Sequence, residues 1–307
     1  MFLEVKNISK IYSDKFVLNT ISFSQKKGEV ISIIGASGEG KTTLLNCLSG
    51  IIKPDSGSIK LNSNEIDNLS ANKRNIAYVF QESPLFPHLN ILQNILFNLK
   101  NYKKELFDDL VNKTSIQLIL DKYPHEISGG ENQRVAVVRS LIRNPDLLLL
   151  DEPFSNLDKN NKKILKEILF GIIKEKNLTT IMVNHDIKES LELSDRIMII
   201  DDGKINTLDK PEVIYSNPKN LKIANLFGEL NSFTLDKKKI FIRPENLNIV
   251  SKSQNKIIVN SCIYLGSKYK IEASYGTEKI FLFDKKKYKV GSELFFDFNK
   301  NYILNLD

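Results

Sequence analysis

Apolar residues recur along this chain with two periods, and each change of period marks an element. Apolar and polar positions alternate from Phe2 to Tyr12 and the pattern breaks at Ser13 and Asp14, which predicts an edge strand. Glu29 to Ile34 is rich in β-branched residues, stops at Gly35 and reads as a buried strand. Asp146 to Leu150, Thr179 to Val183 and Arg196 to Ile200 repeat that texture, and Asp202-Gly203 after the last run is a hairpin turn signal. Between these runs the period lengthens. Leu44, Leu45 and Leu48 lie at helical spacing with Gly50 as a stop, and Ile164, Leu165, Ile168, Leu169, Ile172 and Ile173 define one apolar helix face. Strands alternating with helices predict a mostly parallel α/β sheet.

Two stretches depart from that rhythm. Pro84 to Tyr123 holds helix-like segments around Ile91 to Asn98 and Glu105 to Leu120, and reads as a helical insertion over about residues 84–125. Beyond Asn231 come short alternating runs: Ile240 to Ile242, Ile257 to Leu265, Tyr269 to Ala273, Ile280 to Phe283 and Leu294 to Phe298. Gly266, Gly276 and Gly291 punctuate them, the pattern of a small all-β domain, a barrel. A chain of 307 residues exceeds one core of common size, so two domains are expected, 1–230 and 231–307.

Composition narrows the classes. Hydrophobic residues at 41% and charged residues at 26% are globular values and exclude disorder as the main theme. A net charge of +7 suits nucleic acid or an anionic membrane surface. Its lysines are scattered, however, and the runs at 237–239 and 285–287 are short, so no nucleic-acid partner is expected. Cys47 and Cys262 stand far apart in no metal-ligand spacing, which fits small packing residues in a reducing cytosol. No long apolar stretch follows a basic segment near Met1, so no signal peptide is expected. Runs such as Leu147 to Leu150 fall far short of the roughly 20 residues of a bilayer span. Work at a membrane would require a partner that spans it.

Candidate chemistry begins at Gly35-Ala36-Ser37-Gly38-Glu39-Gly40-Lys41-Thr42, a glycine, four residues, then Gly-Lys-Thr. The glycines let backbone N–H groups turn inward to phosphate oxygens, and the following helix offers its positive end to the same anion. Lys41 supplies a mobile charge and the Thr42 hydroxyl is placed to ligate Mg²⁺. Leu147 to Leu150 delivers Asp151 and Glu152 to the C-terminal edge of a parallel sheet, where ligands bind. Asp151 can hold Mg²⁺ and Glu152 can act as general base on water; read alone, the pair is better taken as loop acids capping the next element. Ser128-Gly129-Gly130 before Glu131, Asn132, Gln133 and Arg134 is either a plain N-cap or a second anion site. Gln81, His185 and Tyr12 end apolar runs, and each alone is an ordinary surface amide, surface imidazole or packed ring.

Together these residues resemble the nucleotide-binding subunit of ABC transporters. The resemblance rests on Tyr12, Gly35 to Thr43, Gln81, Ser128 to Gln133, Leu147 to Glu152, Ser155-Asn156-Leu157-Asp158 and His185 in that order, with Tyr123-Pro124-His125-Glu126 before the serine, and covers about residues 1–230. It implies a P-loop ATPase with ATP and Mg²⁺ bound between two chains paired head to tail. The loop of one, including Thr43, would face Ser128, Gly129, Gly130 and Gln133 of the other. It implies further that Tyr12 stacks on adenine, Gln81 senses Mg²⁺ or water, Asp158 lies at the seam and His185 meets the terminal phosphate. Transmembrane permease subunits would dock on the insertion, where Phe86, Pro87, Leu89 and Ile91 are either the docking face or that subdomain's own core. The tail resembles a TOBE domain on Phe241 to Glu245 and Tyr264 to Ser267, with Ala224 to Asn231 as its link. That combination implies an importer ATPase of the polyamine and ferric-iron kind, on the cytoplasmic face of the membrane and served by a substrate-binding protein. Competing readings are a soluble ATPase acting on nucleic acid or ribosomes, and an exporter ATPase. Three positions depart from the commonest pattern: Glu39, whose side chain is expected to point to solvent, Glu131 in place of glutamine and Asn184 in place of threonine.

Overall fold

Val30–Ile34, Leu147–Asp151 and Thr179–Val183 are buried at every position, and a strand buried on both faces needs a layer on each side. The computed structural model describes all residues except Glu82, Ser83, Asn156, Asp236, Asn305 and Asp307. The chain forms two compact units, Met1–Pro211 and Glu212–Asp307.

The first unit runs β1 (Leu3–Tyr12), β2 (Lys15–Gln25), β3 (Val30–Ile34), α1 (Lys41–Ser49), β4 (Ser56–Leu61), β5 (Asn64–Glu65), β6 (Ile76–Val79), α2 (Ile91–Ile95), α3 (Lys104–Thr114), α4 (Gly129–Leu141), β7 (Leu147–Asp151), α5 (Lys159–Glu175), β8 (Thr179–Val183), α6 (Ile187–Leu193), β9 (Arg196–Asp201) and β10 (Lys204–Asp209). Six strands pair in the order β10-β9-β3-β8-β7-β6. Every pairing from β9 to β6 is parallel, and only β10 returns antiparallel, through the Asp202-Gly203 turn with both residues at positive φ. Alternation along β7 divides the core: Leu147 and Leu149 face the layer containing α1, while Leu148 and Leu150 face the layer containing α4 and α5.

A second sheet in this unit, antiparallel in the order β2-β1-β4-β5, overturns the expected edge strand, because β1 is paired on both sides. Period-two alternation reports which face of a strand is buried; it is silent about how many neighbours the strand has. The helical insertion is present as α2 and α3, but α3 ends at Ser115, which adopts φ 53, so the helix expected to reach Leu120 breaks there into a 3-10 turn at Gln117–Ile119.

In the second unit α7 (Pro211–Ser216) begins at the division and is followed by α8 (Leu221–Leu226) and by β11 (Asn231–Leu235), β12 (Lys238–Ile242), β13 (Asn248–Val250), β14 (Asn255–Tyr264), β15 (Tyr269–Tyr275), β16 (Glu278–Asp284) and β17 (Glu293–Asp297). The division lies before these two helices, whereas the sequence placed it at residue 230. Five strands form an antiparallel sheet, β13-β17-β14-β15-β16, beside the β11-β12 hairpin. The two are laced by the Asn231 amide, which donates to Phe281 O and accepts from Phe281 N–H, each at 2.7 Å. Phe233, Ile242, Ile257, Leu282 and Phe296 fill the interior of this TOBE-like half-barrel. Among the described residues no helix is long and apolar enough to cross a membrane.

Candidate functional site

Residues 35–40 join the C-terminal end of β3 to α1, which opens on Lys41, Thr42 and Thr43, so the loop sits where parallel strands deliver their chain ends. Gly38 and Gly40 adopt φ 88 and φ 87, a left-handed backbone that side chains resist. At Gly40 a Cβ would also come 2.4 Å from the Val17 carbonyl. Ala36, Ser37, Gly38 and Thr42 are exposed, Thr43 is half-buried, and Lys41 is only 6% exposed. The Lys41 ammonium donates to Gly35 O at 2.9 Å and Ala36 O at 2.7 Å. Burial pushes its pKa down, against the pull of Glu152, Asp151 and Glu39. Glu39 corrects an expectation. Its side chain is half-buried, and its carboxylate gathers with those of Asp201 and Asp202 within 4.8 Å, at the β9-β10 turn, rather than pointing to open solvent.

Asp151 ends β7 and is buried. Its Oδ1 accepts from Thr42 Oγ1 at 3.4 Å and its Oδ2 from the Tyr78 hydroxyl at 3.1 Å. Two hard oxygen donors this close, a hydroxyl and a carboxylate, fit Mg²⁺. Burial, then the Asp151 charge, pushes the Tyr78 phenol upward, which keeps it a donor. Glu152 follows at φ 49, with its N–H donating to Val183 O at 3.1 Å. That turn aims the Glu152 carboxylate at His185, whose Nε2 lies 2.5 Å from Oε1. A small cavity of about 90 Å³ opens beside them, lined also by Phe154, Lys162, Asn184 and Glu189.

Ser128, Gly129 and Gly130 form a second group. Ser128 caps α4 in a reciprocal box: Glu131 N–H donates to Ser128 Oγ at 3.3 Å, and Ser128 N–H and Oγ–H each donate to Glu131 Oε2 at 2.8 Å. Those bonds hold the Glu131 carboxyl below its ordinary range. A Cβ on Gly130 would meet the Asn161 side chain at 2.8 Å, and Asn161 in turn donates to Asp158, the N-cap of α5. Gln133 is turned toward the first group, its amide donating to Pro153 O at 3.1 Å. Gln81 is exposed just beyond β6, and Tyr12 is exposed at the end of β1 with the Lys10 ammonium 5.4 Å from its ring centroid. Asn156 of the expected Ser155 to Asp158 segment lies outside the described residues. Sequence reasoning missed Tyr78, whose hydroxyl stands in an otherwise apolar run.

The four candidate docking residues divide. Ile91 is fully buried, Leu89 is half-buried, and Phe86 and Pro87 are exposed. A separate groove of about 760 Å³ runs between the segment leading into β6 and the segment leading into α3. Lys73, Arg74, Lys103 and Arg143 line it with Tyr102 and Leu106, and among the described residues its lining has no acid.

Residues 18–155 match the family model described as ABC transporter. The chain is 39% identical over 264 residues to a Haemophilus influenzae protein named Fe(3+) ions import ATP-binding protein FbpC, covering 82% of this chain and 75% of that one. It is 35% identical over 300 residues to the spermidine/putrescine import ATP-binding protein PotA of Acetivibrio thermocellus, covering 87% and 85%. Among solved structures, cbiO1 from Clostridium perfringens, part of the ABC transporter complex cbiONQ, aligns at a TM-score of 0.63 and 31% identity over 69% of this chain and 90% of that one. A dimeric ATP-binding cassette in a post-hydrolysis state, bound to ADP and Pi, aligns at 0.60 and 26% over 68% and 98%. A glycine-rich loop at the head of α1, a buried Asp151 with Glu152 beside it at the sheet edge and this extent of likeness converge: the chain belongs to the ABC transporter family as an ATP-binding protein, an ATPase.

Proposed function

We propose that this ATPase drives import of a small solute through transmembrane permease subunits. Ferric iron and polyamines are the leading solutes, after the names of the relatives. Those names favour import over export and over work on nucleic acid or ribosomes. The carrying observation for hydrolysis is that Glu152 and His185, from the ends of neighbouring strands, meet at 2.5 Å beside a buried Asp151.

Glu152 is the general base on the attacking water, and His185 orients its carboxylate and reaches the terminal phosphate. The amides of residues 35–43 and the start of α1 bind the phosphates, and Lys41 leaves its two loop carbonyls to pair with them. Magnesium, when bound, supplies charge neutralisation at the phosphates. Thr42 and Asp151 would hold it, with Gln81 reporting its presence. Tyr12 offers its exposed ring to adenine. Ser128, Gly129, Gly130 and Asp158 are exposed or adjacent to exposed backbone, as a surface meant for the partner copy's nucleotide would be. The solved dimeric cassette supports pairing of two copies. The basic groove suits an acidic cytoplasmic helix of the permease, which would hold the chain at the cytoplasmic face of the membrane; a substrate-binding protein would act on the far side.

The test is Glu152→Gln in the full chain. Phosphate release should fall at least about 100-fold, while ATP-dependent dimers persist in size-exclusion chromatography. Normal turnover by this variant would remove Glu152 from the role of base.

A further inference from the structure

Asp151 is gripped from two sides, and only one of the grips belongs to the phosphate loop. Thr42 reaches Oδ1 from α1, whereas Tyr78 reaches Oδ2 from β6. The register explains the reach. Tyr78 pairs with Leu149 in the parallel β6-β7 ladder, and Leu149 and Asp151 share a face of the sheet, so the phenol extends along that face toward the carboxylate. The ring itself is fixed by Phe80, stacked on it at 4.1 Å between centroids and 18° between planes. A position needing only bulk would be served by phenylalanine. Here a hydroxyl stands in an apolar layer with a buried carboxylate as its acceptor.

We propose that Tyr78 is a positioning residue for magnesium binding, holding the Asp151 carboxylate by one oxygen so that its remaining lone pairs face the metal. A carboxylate offers about four acceptor sites, so one phenol bond leaves capacity for both Thr42 and a cation. Groups that orient a metal ligand in this way govern affinity for the metal without touching it. The proposal rests on the reading of Asp151 as a magnesium ligand given above.

Tyr78→Phe removes one oxygen and keeps the ring. Binding of a fluorescent ATP analogue to the full chain is titrated with Mg²⁺, and separately measured in EDTA, for wild type, Tyr78→Phe and Asp151→Asn. Tyr78→Phe should raise the Mg²⁺ concentration for half-saturation about ten-fold and leave binding in EDTA unchanged. An unchanged Mg²⁺ midpoint overturns the proposal, as does an equal loss with and without Mg²⁺, which marks a structural role. If Asp151→Asn also leaves the midpoint in place, the underlying reading of Asp151 fails instead, and the inference falls with it.

Discussion

His185 Nε2 lies 2.5 Å from Glu152 Oε1, although one residue follows β8 and the other follows β7. The contact exists because the two strands are parallel neighbours and Glu152 turns through a positive φ immediately after its strand. Residues that act as a unit lose activity together rather than additively. His185→Ala should therefore lower the ATPase rate by about 100-fold or more, and the double variant with Glu152→Gln should be scarcely slower than Glu152→Gln alone. Steady-state phosphate release from the three variants measures this. Multiplying losses would show that the pair works independently.

Glu131 makes the α4 cap sensitive to acid. Two donors from Ser128 hold its carboxyl below the ordinary range, so the cap's contribution is present above the unfolded pKa and is lost as pH falls through the depressed folded value. Glu131→Gln keeps an acceptor in the same place and removes the charge. Thermal melting between neutral and acidic pH should show a smaller fall in Tm for that variant than for wild type. Parallel curves would mean that the cap contributes nothing to acid sensitivity.

The glycine-rich loop and the acid pair were legible in the sequence because each is a local pattern: Gly40, Lys41 and Thr42 are adjacent, and Asp151 and Glu152 come directly after the apolar residues Leu147 to Leu150. Tyr78 was not legible, because its partner is fixed by the β6-β7 register, and nothing near Tyr78 in sequence encodes that register. The orientation of Glu39 toward Asp201 and Asp202 depends in the same way on where a distant turn folds back. The break in α3 at Ser115 escaped for another reason: a left-handed serine carries no glycine signal. In the tail, alternation located β14 to β17 well, but the lacing of the hairpin to the larger sheet depends on side-chain bonds, Asn231 with Phe281 and Thr234 with Glu278, that no local pattern announces.

That asparagine yields a stability prediction. Asn231 is 1% exposed and satisfies both backbone groups of Phe281, much as another strand would. Asn231→Ala leaves a part-buried N–H and a part-buried carbonyl of Phe281 without their partner, at a cost of about 2 kcal/mol for the two. Urea unfolding of the full chain should show a second-unit transition at lower denaturant, with ATP hydrolysis unchanged below it. Asn231→Asp should be worse than alanine, because it removes the donor and introduces a buried charge.

The groove beside β6 tests the membrane partner. Lys73, Arg74, Lys103 and Arg143 line it, and Arg74 is committed to the fold through four bonds to main-chain carbonyls, two of them at the end of α1. Lys73 and Lys103 are exposed, so reversing their charge should spare folding and nucleotide binding. An acidic helix seated there would meet repulsion instead of attraction, which lowers both the rate of encounter and the affinity. Lys73→Glu with Lys103→Glu should retain basal ATPase activity in solution and lose copurification with membrane proteins, and the loss should be partly mimicked by high salt in wild type. Undiminished copurification by the double variant would place the docking surface elsewhere in the helical insertion, on exposed Phe86 and Pro87.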